Sequence, residues 1–186
     1  VFGSADFGGR TVAIQGCGHV GAYLAEHLHE AGATLLLADI SPDRAQKLAD
    51  KTGGTFVESS EIVAAECDVF APCALGAVIN DESLPTLNCK IVAGAANNVL
   101  LQEEHGQRLK EAGILYAPDY VINAGGIINV SIEVEGEYDA DKARKKVENI
   151  YLALKRVFEI SKAENISTNE ASNRLAKERL SQPART

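Results

Sequence analysis

Short apolar runs alternate along the chain with stretches in which apolar residues recur every three or four positions. Thr11-Val12-Ala13-Ile14-Gln15 is a β-branched and apolar run that stops at a glycine, as a buried parallel strand does. In residues 19–31, Val20, Leu24 and Leu28 lie four apart on one helix face, and Gly32 ends the helix. Thr34 to Ala38 is a second apolar run, closed by Asp39. Ser41-Pro42-Asp43 then reads as a helix start for residues 43–52, with Ser41 as N-cap and Pro42 in the first helical position. Thr55-Phe56-Val57 is a weak strand, Asp68-Val69-Phe70-Ala71 a fourth and Lys90-Ile91-Val92-Ala93 a fifth. A helix over 101–112 leads into the sixth, Ile114-Leu115-Tyr116.

Strands that alternate with helices imply an α/β fold, a parallel sheet covered on both faces. Six strands match two mononucleotide-binding halves, so the pattern predicts a doubly wound Rossmann sheet of order 3-2-1-4-5-6 over residues 1–136. Residues 123–135 read as an apolar helix with a glycine-rich start, leading into a helical tail over 137–186. Residues 140–162 carry an amphipathic stripe of Ala143, Val147, Ile150, Leu154, Val157 and Ser161. A last helix starts near Thr168, where Thr168-Asn169-Glu170 resembles an N-cap, and fades near Pro183. The stripe needs a covering surface: the sheet, another subunit or a domain outside this chain.

The first strand runs into Gly16-Cys17-Gly18-His19-Val20-Gly21, a GxGxxG sequence in its full strand–loop–helix context. Gly16 permits the tight turn, Gly18 lets the backbone approach a pyrophosphate, and Gly21 lets the helix pack close to the sheet. The amides of Gly18, His19 and Val20 then sit at a helix N-terminus, where free N–H groups and the helix dipole favour phosphate. Asp39, at the end of the second strand, is placed to accept hydrogen bonds from adenosine ribose hydroxyls and to repel a 2′-phosphate. Ile40 follows it rather than Arg, so the expected cofactor is NAD rather than NADP, although Arg44 is within reach of the same region.

Charge and composition narrow the partners. The net charge is −8 with no basic stripe, which argues against nucleic acid and anionic membrane. Apolar stretches fall far short of the roughly 20 residues of a membrane span. Cys17, Cys67, Cys73 and Cys89 form no CxxC pair, the pattern of reduced thiols in a cytoplasmic protein. His27 and His29 are two apart on a helix and face different ways, so no metal site is expected. The sequence begins at Val1 and contains no Met, as expected of a piece of a longer protein or of a one-domain protein that has lost its initiator.

Three further segments fall at the ends of strands four, five and six, where ligands of open α/β sheets bind. They are Phe70-Ala-Pro-Cys-Ala-Leu-Gly76, Ala93-Gly-Ala-Ala-Asn-Asn98 and Tyr116-Ala-Pro-Asp-Tyr-Val-Ile-Asn-Ala-Gly-Gly126. With them the chain resembles the coenzyme-binding domain of the glutamate/leucine/phenylalanine/valine dehydrogenase family, above all its leucine, valine and tryptophan dehydrogenase branch. The resemblance implies NAD-dependent oxidative deamination of an apolar L-amino acid to a 2-oxo acid and ammonia. It further implies that Gly16 to Gly21 hold the pyrophosphate, that Asp39 and Ile40 bound the adenosine ribose, and that Cys73 and Ala74 lie against the adenosine. Ala95, Ala96 and Asn97 would meet the nicotinamide riboside, and Asn123 with Asn97 the carboxamide or the substrate. Ile127 and Val130 would line the substrate side-chain pocket, or else be ordinary core positions.

In one respect the chain departs from the family pattern. The family's catalytic lysines sit on a separate N-terminal domain after a glycine-rich stretch, and no Gly-Gly-Gly-Lys run occurs here. The expectation is therefore a homo-oligomeric parent enzyme whose catalytic domain lies outside this chain, with no catalytic residue in the chain itself. The alternative is a stand-alone NAD-binding or assembly module.

Overall fold

A computed structural model describes residues 1–136 and 138–181. Six strands form one all-parallel sheet: β1 (Thr11–Gln15), β2 (Thr34–Ala38), β3 (Thr55–Phe56), β4 (Val69–Pro72), β5 (Ile91–Val92) and β6 (Leu115–Tyr116). Their spatial order is β3-β2-β1-β4-β5-β6, as the sequence pattern predicts. β1 is central, pairing Val12 with Leu35 on one side and with Val69 on the other. Side chains alternate across a strand, so the sheet divides its apolar residues between two layers. Val12, Ile14, Val69 and Ala71 pack under α1 (His19–Glu30) and α2 (Pro42–Thr52), against Ala25, Leu28, Ala45 and Leu48. Ala13, Phe70 and Val92 face the opposite layer with Ile62, Ile79 and Leu109, the last from α3 (Glu104–Glu111).

Local chemistry moves several boundaries away from the hydrophobic pattern. Ser41 holds the N-cap position of α2, but its side chain makes no capping bond; its amide donates to Asp39 Oδ1 instead, at 2.9 Å. The helix expected over 123–135 is present, starting two residues later, and a short helix that the pattern does not predict precedes it. α4 (Asp119–Ile122) begins directly after Pro118, where the Asp119 carboxylate accepts the Tyr120 amide at 2.7 Å. It ends at Asn123, and α5 (Gly125–Glu135) starts afresh at the glycine pair. The long helix α6 (Ala140–Glu164) runs to Asn165, a left-handed C-cap at φ 55°. In α7 (Thr168–Ser181) the first cap is Ser167, whose Oγ accepts the Glu170 amide at 3.1 Å, one residue earlier than expected. The expected fading near Pro183 lies outside the described residues.

The tail docks on the β6 edge of the sheet. Thr168 Oγ1 donates to the Tyr116 carbonyl at 2.7 Å, and Lys110 Nζ of α3 donates to the Asn165 carbonyl at 2.5 Å. Gly106 lets α3 approach α7, since a Cβ there would stand 3.0 Å from that of Asn169. The predicted stripe on α6 is only partly covered. Ala143 and Val157 are buried, Val157 against Ala171 of α7, whereas Val147 stays exposed. Tyr151 and Leu152 of α6 and Ile127, Val130 and Val134 of α5 also stand in solvent. No helix among the described residues is long and apolar enough to cross a membrane.

Candidate functional site

The sheet order puts the topological switch between β1 and β4, and their carboxyl ends open into a cleft of about 510 Å3. Gly16 turns the chain out of β1 at φ +103°, a conformation L side chains rarely adopt. Gly21 sits in the first turn of α1 where a Cβ would fall 1.9 Å from the Gly16 carbonyl oxygen. Gly18 is different: a Cβ there meets nothing within 4 Å, so its surface is open. It also caps α1, and Ala22 is the amide that bonds back to its carbonyl, at 2.8 Å. The amides of His19, Val20 and Gly21 therefore lie in the unsatisfied first turn, with His19 and Val20 exposed.

Asp39 anchors the loop from the side. Its carboxylate accepts the Cys17 amide at 2.8 Å on Oδ2 and the Ser41 amide at 2.9 Å on Oδ1. Arg44 Nη1 reaches both oxygens, at 3.2 and 3.4 Å. Asp39 is only 6% exposed, and burial alone would raise its pKa; the two amides and the guanidinium outweigh burial and hold the carboxyl below its usual range. Burial, with Asp39 and Cys73 nearby, pushes the Cys17 thiol up to about 11. Burial also raises Cys73, against the lowering effect of the Ala95 amide bonded to its sulfur. Both thiols stay protonated at neutral pH.

The loops after β4 and β5 are stitched together. The Ala77 amide donates to the Asn98 carbonyl at 2.6 Å, and both residues are left-handed, at φ 58° and 52°. A Cβ on Gly76 would fall 2.6 Å from the Asn97 carbonyl oxygen. Asp119, 7% exposed, takes the Val99 amide at 2.7 Å and so fastens α4 to the same loop. That contact places Asn123 beside it: Asn123 Nδ2 donates to Asn97 Oδ1 at 2.6 Å and to the Ala96 carbonyl at 3.4 Å. The pairing leaves the Asn97 NH2 and the Asn123 carbonyl oxygen for another partner.

Of the residues expected from sequence, Gly16, Gly18, Asp39, Ile40, Cys73 and Ala74 share the wall of the cleft. Ala95, Ala96, Asn97 and Asn123 gather on the adjoining loops. Ile127 and Val130 are neither core nor cleft wall; at 73% and 54% exposure they stand on the open side of α5. The wall also contains Arg44, Ser59, Leu75, Gly76 and Val78, and Asp119 braces it from behind. The Pro118-Asp119 helix start was the available signal for Asp119; Leu75 and Gly76 close the Phe70–Gly76 segment that the sequence marks without a role for either residue, and Val78 is an apolar loop position with no sequence mark of its own. Among the described residues no three His, Cys, Asp or Glu side chains gather as a metal set.

The family model for Glutamate/Leucine/Phenylalanine/Valine dehydrogenase matches residues 37–185. The chain belongs to this family. It is 50% identical to the leucine dehydrogenase of Thermoactinomyces intermedius over 185 residues, covering 100% of this chain and 50% of that protein. It is 44% identical to the phenylalanine dehydrogenase of Bacillus thermotolerans, covering 97% of this chain and 48% of that protein. The crystal structure of L-tryptophan dehydrogenase from Nostoc punctiforme superposes with a TM-score of 0.93 at 48% identity, over 96% of this chain and 54% of that one. The chain thus spans about half the length of the dehydrogenases it matches. Within the family fold, the glycine loop, Asp39 and the paired asparagines all lie at the carboxyl ends of the strands.

Proposed function

We propose that this chain is the NAD-binding part, centred on residues 1–136, of an L-amino-acid dehydrogenase that deaminates an apolar amino acid to its 2-oxo acid and ammonia. The observation that carries the reading is the open face of Gly18. Two glycines of the loop are filled against the protein itself, and the third leaves space at a helix N-terminus beside a buried carboxylate. That combination fits a pyrophosphate with an attached ribose.

Bound there, NAD would supply the hydride acceptor. The first-turn amides of α1 hold the pyrophosphate. Asp39 takes the ribose hydroxyls on the side now covered by Arg44, whose side chain is 55% exposed and has room to swing outward. Exposed Ile40 and Leu75 give the adenine apolar edges, with Cys73 and Ala74 behind. Ala95 and Ala96 leave room for the nicotinamide riboside, and the remaining amide groups of Asn97 and Asn123 orient its carboxamide or the substrate. Ile127 and Val130 form one apolar wall for the substrate side chain. The exposed apolar residues of α5 and α6 are the surface that a second subunit or the rest of the longer protein covers.

Removing a proton from the amino group needs a base of lowered pKa. Among the described residues no lysine lines the cleft, and the neighbouring thiols are shifted upward. We assign the base to the part of the longer relatives that this chain does not span. An assay of this polypeptide with NAD and L-leucine, L-valine, L-phenylalanine or L-tryptophan should produce no NADH, and steady turnover would overturn that assignment.

Calorimetric titration tests the cofactor. Arg44 offsets part of the charge of Asp39, so the preference for NAD over NADP is expected to be about tenfold or somewhat more, near 1.4 kcal/mol. Equal affinities would remove the role given to Asp39.

A further inference from the structure

At the end of the sheet opposite the cleft, the chain enters β4 and β5 through Glu66-Cys67-Asp68 and Asn88-Cys89-Lys90. The two approaches are paired through the backbone. The Cys67 amide donates to the Asn88 carbonyl at 3.0 Å, and the Lys90 amide to the Asp68 carbonyl at 3.1 Å. Both chains bend at the charged residue, and Lys90 Nζ binds Asp68 Oδ1 at 3.1 Å. Strict alternation would place Cys67 with Val69 and Cys89 with Ile91, under α1 and α2. The bends instead carry both cysteines to the other layer, against Phe70 and Val92.

Adjacent strands run about 4.8 Å apart, within the roughly 4.4–6.8 Å that a disulfide spans between Cα atoms. Facing positions on the two paired approaches bring the thiols within each other's electrostatic influence, which favours ionisation at Cys89 and disfavours it at Cys67. Both are half-buried and line an open recess of about 360 Å3 with Thr11, Glu66, Asp68, Asn88 and Lys90, so a small reagent can reach them. Cys17, by contrast, is buried.

We propose that Cys67 and Cys89 are a redox-active dithiol that exchanges with small-molecule disulfides of the glutathione class. The nearby Cys67 thiol favours the thiolate at Cys89, where the Phe70 and Ile91 amides add to the effect, while Cys67 itself is pushed up. The Cys89 thiolate attacks the small disulfide, forms a mixed disulfide and expels one thiolate, which takes the Cys67 proton. The Cys67 thiolate then attacks Cys89 Sγ and expels the second small thiol, which takes up the proton that Cys89 had released. One disulfide has become two thiols, and two protein thiols have become one disulfide. The new bond ties together the feet of β4 and β5, the two strands whose far ends carry the Cys73 and Asn97 loops.

The test is incubation of the purified protein in oxidised and reduced glutathione, followed by acid quenching, alkylation, intact mass and peptide mapping. The wild type should keep two of its four thiols and yield a Cys67–Cys89 linked peptide. Cys67→Ser should stop with one glutathione on Cys89, and Cys89→Ser should react about tenfold more slowly. A Cys17→Ser/Cys73→Ser double variant should still form the link. Four alkylated thiols in the wild type, or a link mapped to any other pair or between two chains, would overturn the proposal even if the single variants fold poorly.

Discussion

Gly21→Ala is expected to cost the protein stability and nucleotide binding together, whereas Gly18→Ala costs only the nucleotide. At Gly21 the added Cβ would stand 1.9 Å from the Gly16 carbonyl oxygen, a backbone atom fixed in the turn out of β1. Either α1 moves off the sheet or the loop opens. Overpacking of this kind costs about 1–3 kcal/mol and sometimes more. The shift also displaces the first-turn amides, so NAD affinity should fall at least as far as in the milder variant. Gly18 has an ordinary φ of −70°, and a Cβ added to it would meet nothing within 4 Å, so alanine is accepted there without strain. The methyl then occupies the space assigned to the pyrophosphate. Loss of one charge-assisted bond, about 1.5–3 kcal/mol, weakens NAD roughly ten- to a hundredfold. Urea unfolding and calorimetry on both variants separate the effects. Gly18→Ala binding NAD as the wild type does would place the phosphate elsewhere.

Asp39→Asn carries the second large effect. The two carboxylate oxygens each accept a backbone amide, from Cys17 and from Ser41. An asparagine offers one acceptor and must turn its NH2 toward the other amide, donor against donor. One buried N–H loses its partner and Arg44 loses its charge partner, a combined cost of about 3 kcal/mol. The carboxyl titrates below its ordinary value in the folded chain, so it binds a proton less readily folded than unfolded. Its stabilisation is therefore complete above the unfolded value of about 3.9 and disappears as pH falls through the lower folded value. Unfolding midpoints of wild type and variant should differ by a constant amount near neutrality and converge only below about pH 4. A variant as stable as the wild type at pH 7 would show that the glycine loop does not depend on this carboxylate.

The same residue marks how far the sequence could be read. The short apolar runs located the strands, and the alternation of six strands with helices gave their order, because both are written directly along the chain. That Asp39 would be bound on both oxygens by its own protein was not legible. It depends on where Cys17 and Ser41 end up, and those residues belong to different turns. Asp119 is a similar case. Its partner Val99 is in another loop, and no spacing rule links them. The apolar pattern also placed Ile127 and Val130 on a helix correctly, but periodicity cannot tell a face that meets the sheet from one left open in this chain.

The central position of β1 sets the order in which the molecule can assemble. β1 finds β2 close by in sequence, but its other neighbour, β4, arrives only after α2 and β3. A chain emerging from the ribosome can therefore complete the glycine loop and Asp39 early, while one edge of β1 waits unpaired. Long-range parallel pairing is slow because loop closure precedes any gain from contact. During that interval Val12, Ala13 and Ile14 form an apolar edge open to neighbouring chains, which makes synthesis beyond β4 the step that protects the protein from aggregation.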